Sequence, residues 1–569
     1  MRGPTAAAAA AVAFASSFAA PAALAGVAAP PPLKVVLTPE AEGGAIDRLD
    51  VEMRIPVPGI AAGGTLLRMP VNIVSTPTAA YDSNRIVAQD DKGRLNLTQV
   101  EEPPSPTGTY RHWTVERPTA GDVVVRYGTP PRQVDSETRN GPLFDLRAQG
   151  GGLLGAGVYF FALPANDSKY TISVHWDLSH APAGTRGISS SGEGDTEVVA
   201  PAETLAFSFY AVGPVKSEPA NGKGDFGLYW LTKPPFDIDR LATGIHTLYD
   251  SMSRFFGDRG TPYRVFIRAN PYPAGGGTSL NHSFMFGFGS DGTTIADGPQ
   301  MLIAHEMVHT WPTLDGGEHA DTAWYTEGTA EYYSALLSER SGAIDLAKFL
   351  SVINEHAAGY YTNPYIALTN TQAGALFWKD SNAQRVPYGR GFMYLSALDA
   401  RMRAASDGER SLDDLVLEVL HRQRKGEKVG LQQWVDLVVR ELGPPARKDY
   451  EDMVAGKTIV PPANVFGPCF SVVSEPERPF VLGFDDMRLA VVRNLVADSP
   501  AAKAGLKEGD TIVALTPIGE ARDNPGKTMD LTVRRDGREF KVSYLPRAAP
   551  VPAWHWVRNP KVPAGRCRL

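Results

Sequence analysis

Three features of this 569-residue sequence predict a multidomain α+β protein. The length exceeds what one hydrophobic core supports, so several units are expected. Short alternating apolar runs between turn residues fill the chain to about residue 215. From about 216 to 460, runs with helical spacing dominate, and a smaller strand-rich segment closes the chain.

The first element is a leader. Met1-Arg2 is followed by an Ala-rich apolar run from Thr5 to Leu24 and by Ala23-Leu24-Ala25, a small-x-small cleavage pattern. Ser16, Ser17 and Pro21 interrupt the run, which favours cleavage over a retained anchor. Residues 1–25 are therefore read as a removed secretory signal, with no cysteine near the cut to carry lipid. No later stretch approaches the ~18 apolar residues that span a bilayer. The expectation is an exported protein, periplasmic or secreted from a bacterium, with no membrane contact after cleavage.

Residues 26–215 are expected to form an N-terminal β-sandwich-like domain. "KVVLTPE", "RLDVEMRIPVPG", "GDVVVRYGTP", "KYTISVHWDLS" and "TLAFSFYAVGP" are strands of the length and spacing that all-β domains use.

Residues 216–460 change character. "DIDRLATGIHTLYDSMSRFFGD" has helical spacing, "PYRVFIRANP" is a strand, and the Gly-rich loop "PAGGGTSLNHSFMFGFGSDG" follows. Four further helices are expected downstream, in "AIDLAKFLSVINEHAAGYY", "GFMYLSALDARMRAAS", "SLDDLVLEVLHRQRKG" and "LQQWVDLVVREL".

Between loop and helices lies "MLIAHEMVHTWPTLDGGEHADTAWYTEGTAEYY", residues 301–333. On a helix, His305 and His309 stand one turn apart on one face, so both imidazoles can reach one ion. Glu306 then points at the same cavity without binding the metal. Two neutral nitrogens plus one carboxylate, with an open fourth position, suit one Zn²⁺ per chain. Water there is acidified, and Glu306 can take its proton as it attacks a carbonyl. Candidates for the third ligand are Asp315, Glu318, His319, Asp321, Glu327 and Glu331. Asp315 to Asp321 lie in a flexible turn containing two glycines. Glu327 opens a helical run able to pack on the first helix, and Glu331 falls one turn later, where it accepts a hydrogen bond from a ligand histidine or is merely a solvated acid.

"HEMVHTW" followed by "WYTEGTAEYY" resembles the gluzincin metallopeptidases, whose third ligand is the glutamate of a W-x-x-E-G segment. That resemblance selects Glu327. Within the clan the chain is most similar to the glycyl aminopeptidase family, which joins an N-terminal β domain, a thermolysin-like catalytic domain and a C-terminal PDZ domain. "YGRGFMYLSALDARMR" looks like that family's Y-x-K-G segment, with Arg390 in place of the lysine. The resemblance implies that Tyr388 donates to the oxyanion of the tetrahedral intermediate. It also implies that Gly276, Gly277, Asn281 and His282 line the substrate cleft. The family's version of this loop resembles G-G-x-E-H, with the glutamate gripping the substrate's free amine. Asn281 stands at that position here, and a neutral amide cannot pair with an ammonium charge. The "LDGGEH" loop, set against Asn281, is where this chain is expected to differ from such relatives.

Residues 475–550 carry "FVLGF" and "SPAAKAGLKEGDTIVAL", which resemble a PDZ domain with strands around one short helix. In such domains the loop matching Leu482, Gly483 and Phe484 receives a peptide carboxylate, or the groove is closed and the unit is a structural cap. Residues 551–569 are read as a Pro-rich tail held only by Cys567. Cys469 and Cys567 can form one bridge or remain free thiols; spacing does not choose. A net charge of −7 offers no basic surface for nucleic acid.

The function expected is an exported zinc-dependent, aminopeptidase-like peptidase hydrolysing peptide bonds through a metal-activated water, acting on peptide or protein substrates. The alternatives are an endopeptidase, or a non-catalytic PDZ adaptor with a structural zinc.

Overall fold

A computed structural model describes residues 29–563 and Cys567, except 74–75, 82–84, 105–107, 136–137, 139–140, 223, 259, 273–275, 290–298 and 487–488. The segment read as a secretory signal lies outside the described residues. The chain is a mixed α+β, multi-sheet structure that separates into two compact units, dividing after Thr310. No described helix is long and apolar enough to cross a membrane.

In the first unit, alternating strands build a seven-stranded sheet around the hairpin Pro32–Glu42 and Ala45–Ile55. Gly43 and Gly44 make the turn at φ +60° and +88°, a conformation in which a side chain would be strained. Four- and five-stranded sheets share its core, into which Met53, Trp113, Val125 and Phe160 are buried. One expected strand starts differently. "TLAFSFYAVGP" opens within a short helix, Glu203–Ala206, where Ser208 Oγ donates to Thr204 O, and only Phe209–Gly213 is extended.

The same unit carries the sheet beside the histidine motif. Its strands are β1 (Lys216–Glu218), β2 (Phe226–Trp230), β3 (Tyr263–Ala269), β4 (Gly276–Leu280) and β5 (Ser283–Phe288), in the order β1-β2-β3-β5-β4. β2, β3 and β5 run parallel, and β4 is an antiparallel edge. Helix α1 (Ile238–Phe255) is capped by Asp237, whose side chain accepts from Arg240 N, and buries an apolar stripe including Leu241, Ile245, Leu248 and Met252. Helix α2 (Gln300–Val308) packs on α1 and β5.

The second unit is built around helices α3 (His319–Arg340), α4 (Leu346–Tyr361), α5 (Asn370–Leu376), α6 (Ser381–Ala405), α7 (Leu412–Arg424), α8 (Leu431–Leu442) and α9 (Pro445–Val454). α3 begins two turns before Glu327, earlier than expected. Gly316 and Gly317, at φ +70° and +87°, complete the turn, and the chain is free to coil from His319. α6 also starts before the sequence pattern suggests, at its Asp380 cap, and contains Pro387.

After α9 the chain forms β6 (Phe470–Ser474), enters the small C-terminal unit, and returns as β10 (Trp554–Arg558), after β7 (Thr511–Leu515), β8 (Met529–Arg535) and β9 (Arg538–Tyr544). β6 and β10 pair antiparallel from Phe470–Arg558 to Ser474–Trp554. The tail is therefore not held by Cys567 alone. Trp556 is buried against Phe466, and its backbone exchanges two hydrogen bonds with the Asn354 side chain on α4. Cys469 and Cys567 are joined in a disulfide with Cα atoms 5.2 Å apart.

The C-terminal unit packs Leu482, Phe484, Val492, Leu506, Leu531 and Val533 in a core of its own. It has two short helices rather than one, α10 (Pro500–Lys503) and α11 (Ile518–Asp523). "RPFVLGFDD" and "LAVVRN", read as strands, make only isolated bridges, Phe480 to Arg547 and Val491 to Thr511.

Candidate active site

His305 and His309 lie at the end of α2, the second as its C-cap, and their Nε2 atoms stand 3.1 Å apart. Two ring nitrogens this close, with rings nearly perpendicular, converge on one point in space. The ligand atoms of His305, His309 and Glu327 all lie within 4.8 Å of one another. Glu327 is 1% exposed, on the third turn of α3. Two imidazole nitrogens and one buried carboxylate fit a zinc ion chemically.

Glu306, between the histidines, is also 1% exposed. It lies close enough to Tyr263, on β3, to affect that phenol. Burial pushes the Tyr263 hydroxyl well above its usual range and the Glu306 carboxylate pushes the same way, with nearby Ser279 of β4 opposing them. Base, phenol and edge strand therefore form one neighbourhood. Tyr263 carries no motif, and only tertiary structure identifies it.

The other candidates for the third ligand separate clearly. Asp315 Oδ2 accepts from Val429 N at 2.8 Å and from Gln423 Nε2 at 3.0 Å, so it pins the turn to the segment between α7 and α8. Glu318 and His319 are exposed. The His319 ring stands edge-on to Phe377, with centroids 4.5 Å apart. Glu331, one turn beyond Glu327, has its carboxylate 3.2 Å from His356 Nε2 on α4.

The tryptophan of "WYTEG" faces the bundle core. Trp324 is 1% exposed and meets Tyr394 edge-on at 5.2 Å, while neighbouring Tyr325 meets Trp434 at 4.8 Å. The glycines of the two motifs face each other. A Cβ on Gly328 would lie 2.5 Å from Gly391 Cα, and one on Gly391 would meet Trp324 O and Gly328 Cα. α3 and α6 therefore cross in direct backbone contact, at a point next to Glu327 on α3 and one turn from Tyr388 on α6. Arg390, standing where the resemblance has lysine, is fully buried. It donates to Asn370 Oδ1, Ile366 O and Leu368 O, and so holds the start of α5. Tyr388 is half-buried.

Gly276 and Gly277 open edge strand β4, and Phe284 on β5 leaves no room for a side chain at Gly277. Asn281 and His282 form the two-residue turn to β5. His282 adopts φ +45°, and Asn281 O accepts from Ser283 Oγ. No acid sits in this turn. In the C-terminal unit, Leu482, Gly483 and Phe484 are buried, and Gly483, at φ +91°, lies against Ser499 and Ala501. Arg522 on α11 reaches Asp486 at 3.8 Å and lies over the Phe480 ring, tying α11 to this loop.

No protein-family model matches the sequence, and no curated protein does. Solved structures do. An aminopeptidase N family protein from Idiomarina loihiensis shares the fold at a TM-score of 0.67 and 16% identity, over 94% of this chain and 100% of that one. An M1 zinc metallopeptidase from Deinococcus radiodurans, bound to a Tyr-Ser-Ala substrate, aligns at a TM-score of 0.45 and 17% identity, over 76% of this chain and 95% of that one. At such identities the first of these establishes the fold, and residue roles rest on the side chains themselves.

Proposed function

We propose that this chain is a zinc-dependent peptidase of aminopeptidase type. The observation that carries the reading is the convergence of His305, His309 and Glu327. A zinc ion held by these three would supply Lewis acidity to a water and a peptide carbonyl. Glu306, next to the first ligand and buried, would take the proton of the attacking water and pass it to the leaving amine. The Tyr388 hydroxyl would donate to the carbonyl oxygen as it gains charge, where a donor matters most. β4, an edge strand with glycines at its start, would pair with extended substrate backbone, with Asn281 and His282 at its end. Glu331 would steady its neighbourhood through His356.

The proposed layout places a β domain at 26–215, the peptidase at 216–460 and a PDZ-type unit at 475–550. Arg522, tying α11 to Asp486 and Phe480, supports the closed-cap reading of that last unit over a peptide groove. Export after removal of residues 1–25 completes the proposal. One observation favours a second reading of specificity: the turn at Asn281 carries no acid to grip an α-amine, which suits an endopeptidase or an enzyme indifferent to the amine.

The test is Glu306→Gln. Peptide hydrolysis is expected to vanish while bound zinc, measured by elemental analysis, stays at one per chain; hydrolysis persisting with zinc bound would refute the proposal. Acetylated against free N-termini on the wild-type enzyme decides between the two specificities.

A further inference from the structure

Arg385 lies on α6 three residues before Tyr388, so both side chains stand on the same face of the helix, one above the other. It is half-buried, and among the described residues it makes no hydrogen bond and no ion pair. Other arginines on the helices are paired: Arg403 with Asp399, Arg410 with Glu441, and Arg440 with Glu418. The surrounding charges leave it under-compensated. Burial pushes its guanidinium below the usual range and Arg522 pushes the same way; Asp486, Tyr388 and Glu355 oppose them from beyond ion-pair distance. Asp486 is itself engaged by Arg522, and Glu355 is exposed. A partly desolvated guanidinium without a partner is open to an approaching anion.

We infer that Arg385 is a specificity-determining residue that receives a substrate carboxylate on the leaving-group side of the scissile bond. The inference rests on the peptidase reading above. The planar fork of a guanidinium matches a carboxylate with two parallel hydrogen bonds, a geometry lysine cannot reproduce. Distance sets the substrate class. Residues one helical turn apart have Cβ atoms about 5–6 Å apart, and each extended peptide residue spans roughly 3.3–3.6 Å. A carboxylate reaching Arg385 from a carbonyl at the Tyr388 hydroxyl therefore lies within one or two residues of the cleaved bond, and a C-terminal carboxylate at that distance is on its leaving-group side. The substrates are di- and tripeptides with a free C-terminus, or peptides with Asp or Glu at that place.

The experiment compares one tripeptide as free acid, as C-terminal amide, and as an amide with Asp as its last residue, with wild-type enzyme and Arg385→Gln. The free acid is expected to have a kcat/KM at least about tenfold above the plain amide, as a charge-assisted pair provides. The difference should lie mainly in KM, and the ratio should fall to about one in Arg385→Gln. Arg385→Lys should recover only part of it, and denaturation midpoints of both variants show whether they fold. If the Asp amide matches the free acid, Arg385 reads a side-chain carboxylate; if only the free acid is favoured, it reads the C-terminus. Equal cleavage of acid and both amides by the wild type, or a preference that survives Arg385→Gln, overturns the inference. Failure of the wild type to cleave any of the three refutes the peptidase reading itself.

Discussion

The contact between Gly328 and Gly391 makes a strong demand on the molecule. In Gly328→Ala, the new Cβ would stand 2.5 Å from Gly391 Cα, 2.6 Å from its carbonyl carbon and 3.1 Å from its oxygen. All three are backbone atoms, which no rotamer change can move away. Carbon atoms pack at about 3.5–4.0 Å, so α3 and α6 must part by about 1 Å. Overpacking of this kind costs about 1–3 kcal/mol, offset by about 1 kcal/mol because alanine favours the helix over glycine. The net loss of stability is therefore small, about 0–2 kcal/mol. Activity should respond more. Glu327 adjoins Gly328, Tyr388 lies one turn from Gly391, and a 1 Å misplacement of reacting groups costs on the order of 10²-fold in rate. Gly359→Ala on α4 is the control: nothing lies within 4 Å of its new Cβ, so it should gain up to about 1 kcal/mol and keep full activity. Urea denaturation and kcat/KM on one peptide measure both quantities. Wild-type kcat/KM in Gly328→Ala would refute the claim that this crossing positions the site.

Tyr388→Phe should lower kcat about 10²–10³-fold with little change in KM, the signature of a donor used only in the transition state; an unchanged kcat removes Tyr388 from the mechanism. The disulfide closes a separation of 98 residues, so replacing Cys469 and Cys567 by serine should cost up to about 4.7 kcal/mol on the chain-entropy account; an unaltered denaturation midpoint speaks against it. In the C-terminal unit, a hydrogen bond from Arg535 holds the Asp510 carboxyl below its usual range against the opposing effect of burial. Its contribution is thus fully present above the unfolded value of about 3.9 and is lost as pH falls through the lower folded value. Asp510→Asn should flatten that acid limb of the stability curve; an identical limb in the variant shows that other carboxylates carry it.

The legible part of the site was local. Two histidines at i and i+4 need only a helix to converge, and α2 is that helix, with Glu306 buried between them. Downstream, the glutamate in "WYTEG" and the tyrosine in "YGRG" were visible as letters. The reason for the glycines beside them, a backbone crossing of two helices 63 positions apart, was not, because periodicity reports one helix at a time. The early start of α3 escaped for a related reason: Gly316 and Gly317 look like a loop until their φ values show a completed turn. Asp315 read as a possible ligand, and only the Val429 backbone shows it engaged elsewhere. The pairing of β6 with β10 joins segments 80 residues apart, and short apolar runs do not name their partners. Arg385 lies before the run that reads as a helix in the sequence, and its lack of a partner is a property of space.

The pairing of β6 with β10 makes the C-terminal unit an insertion. The chain leaves the helical bundle along one strand and re-enters it along the strand's neighbour, with the disulfide joining the two sides below. Both ends of the inserted piece are therefore anchored side by side, whatever lies between them. Such a module can be excised and replaced by a two-residue hairpin turn, or exchanged for another domain with adjacent termini, leaving the register of the strands and the seat of Trp556 intact.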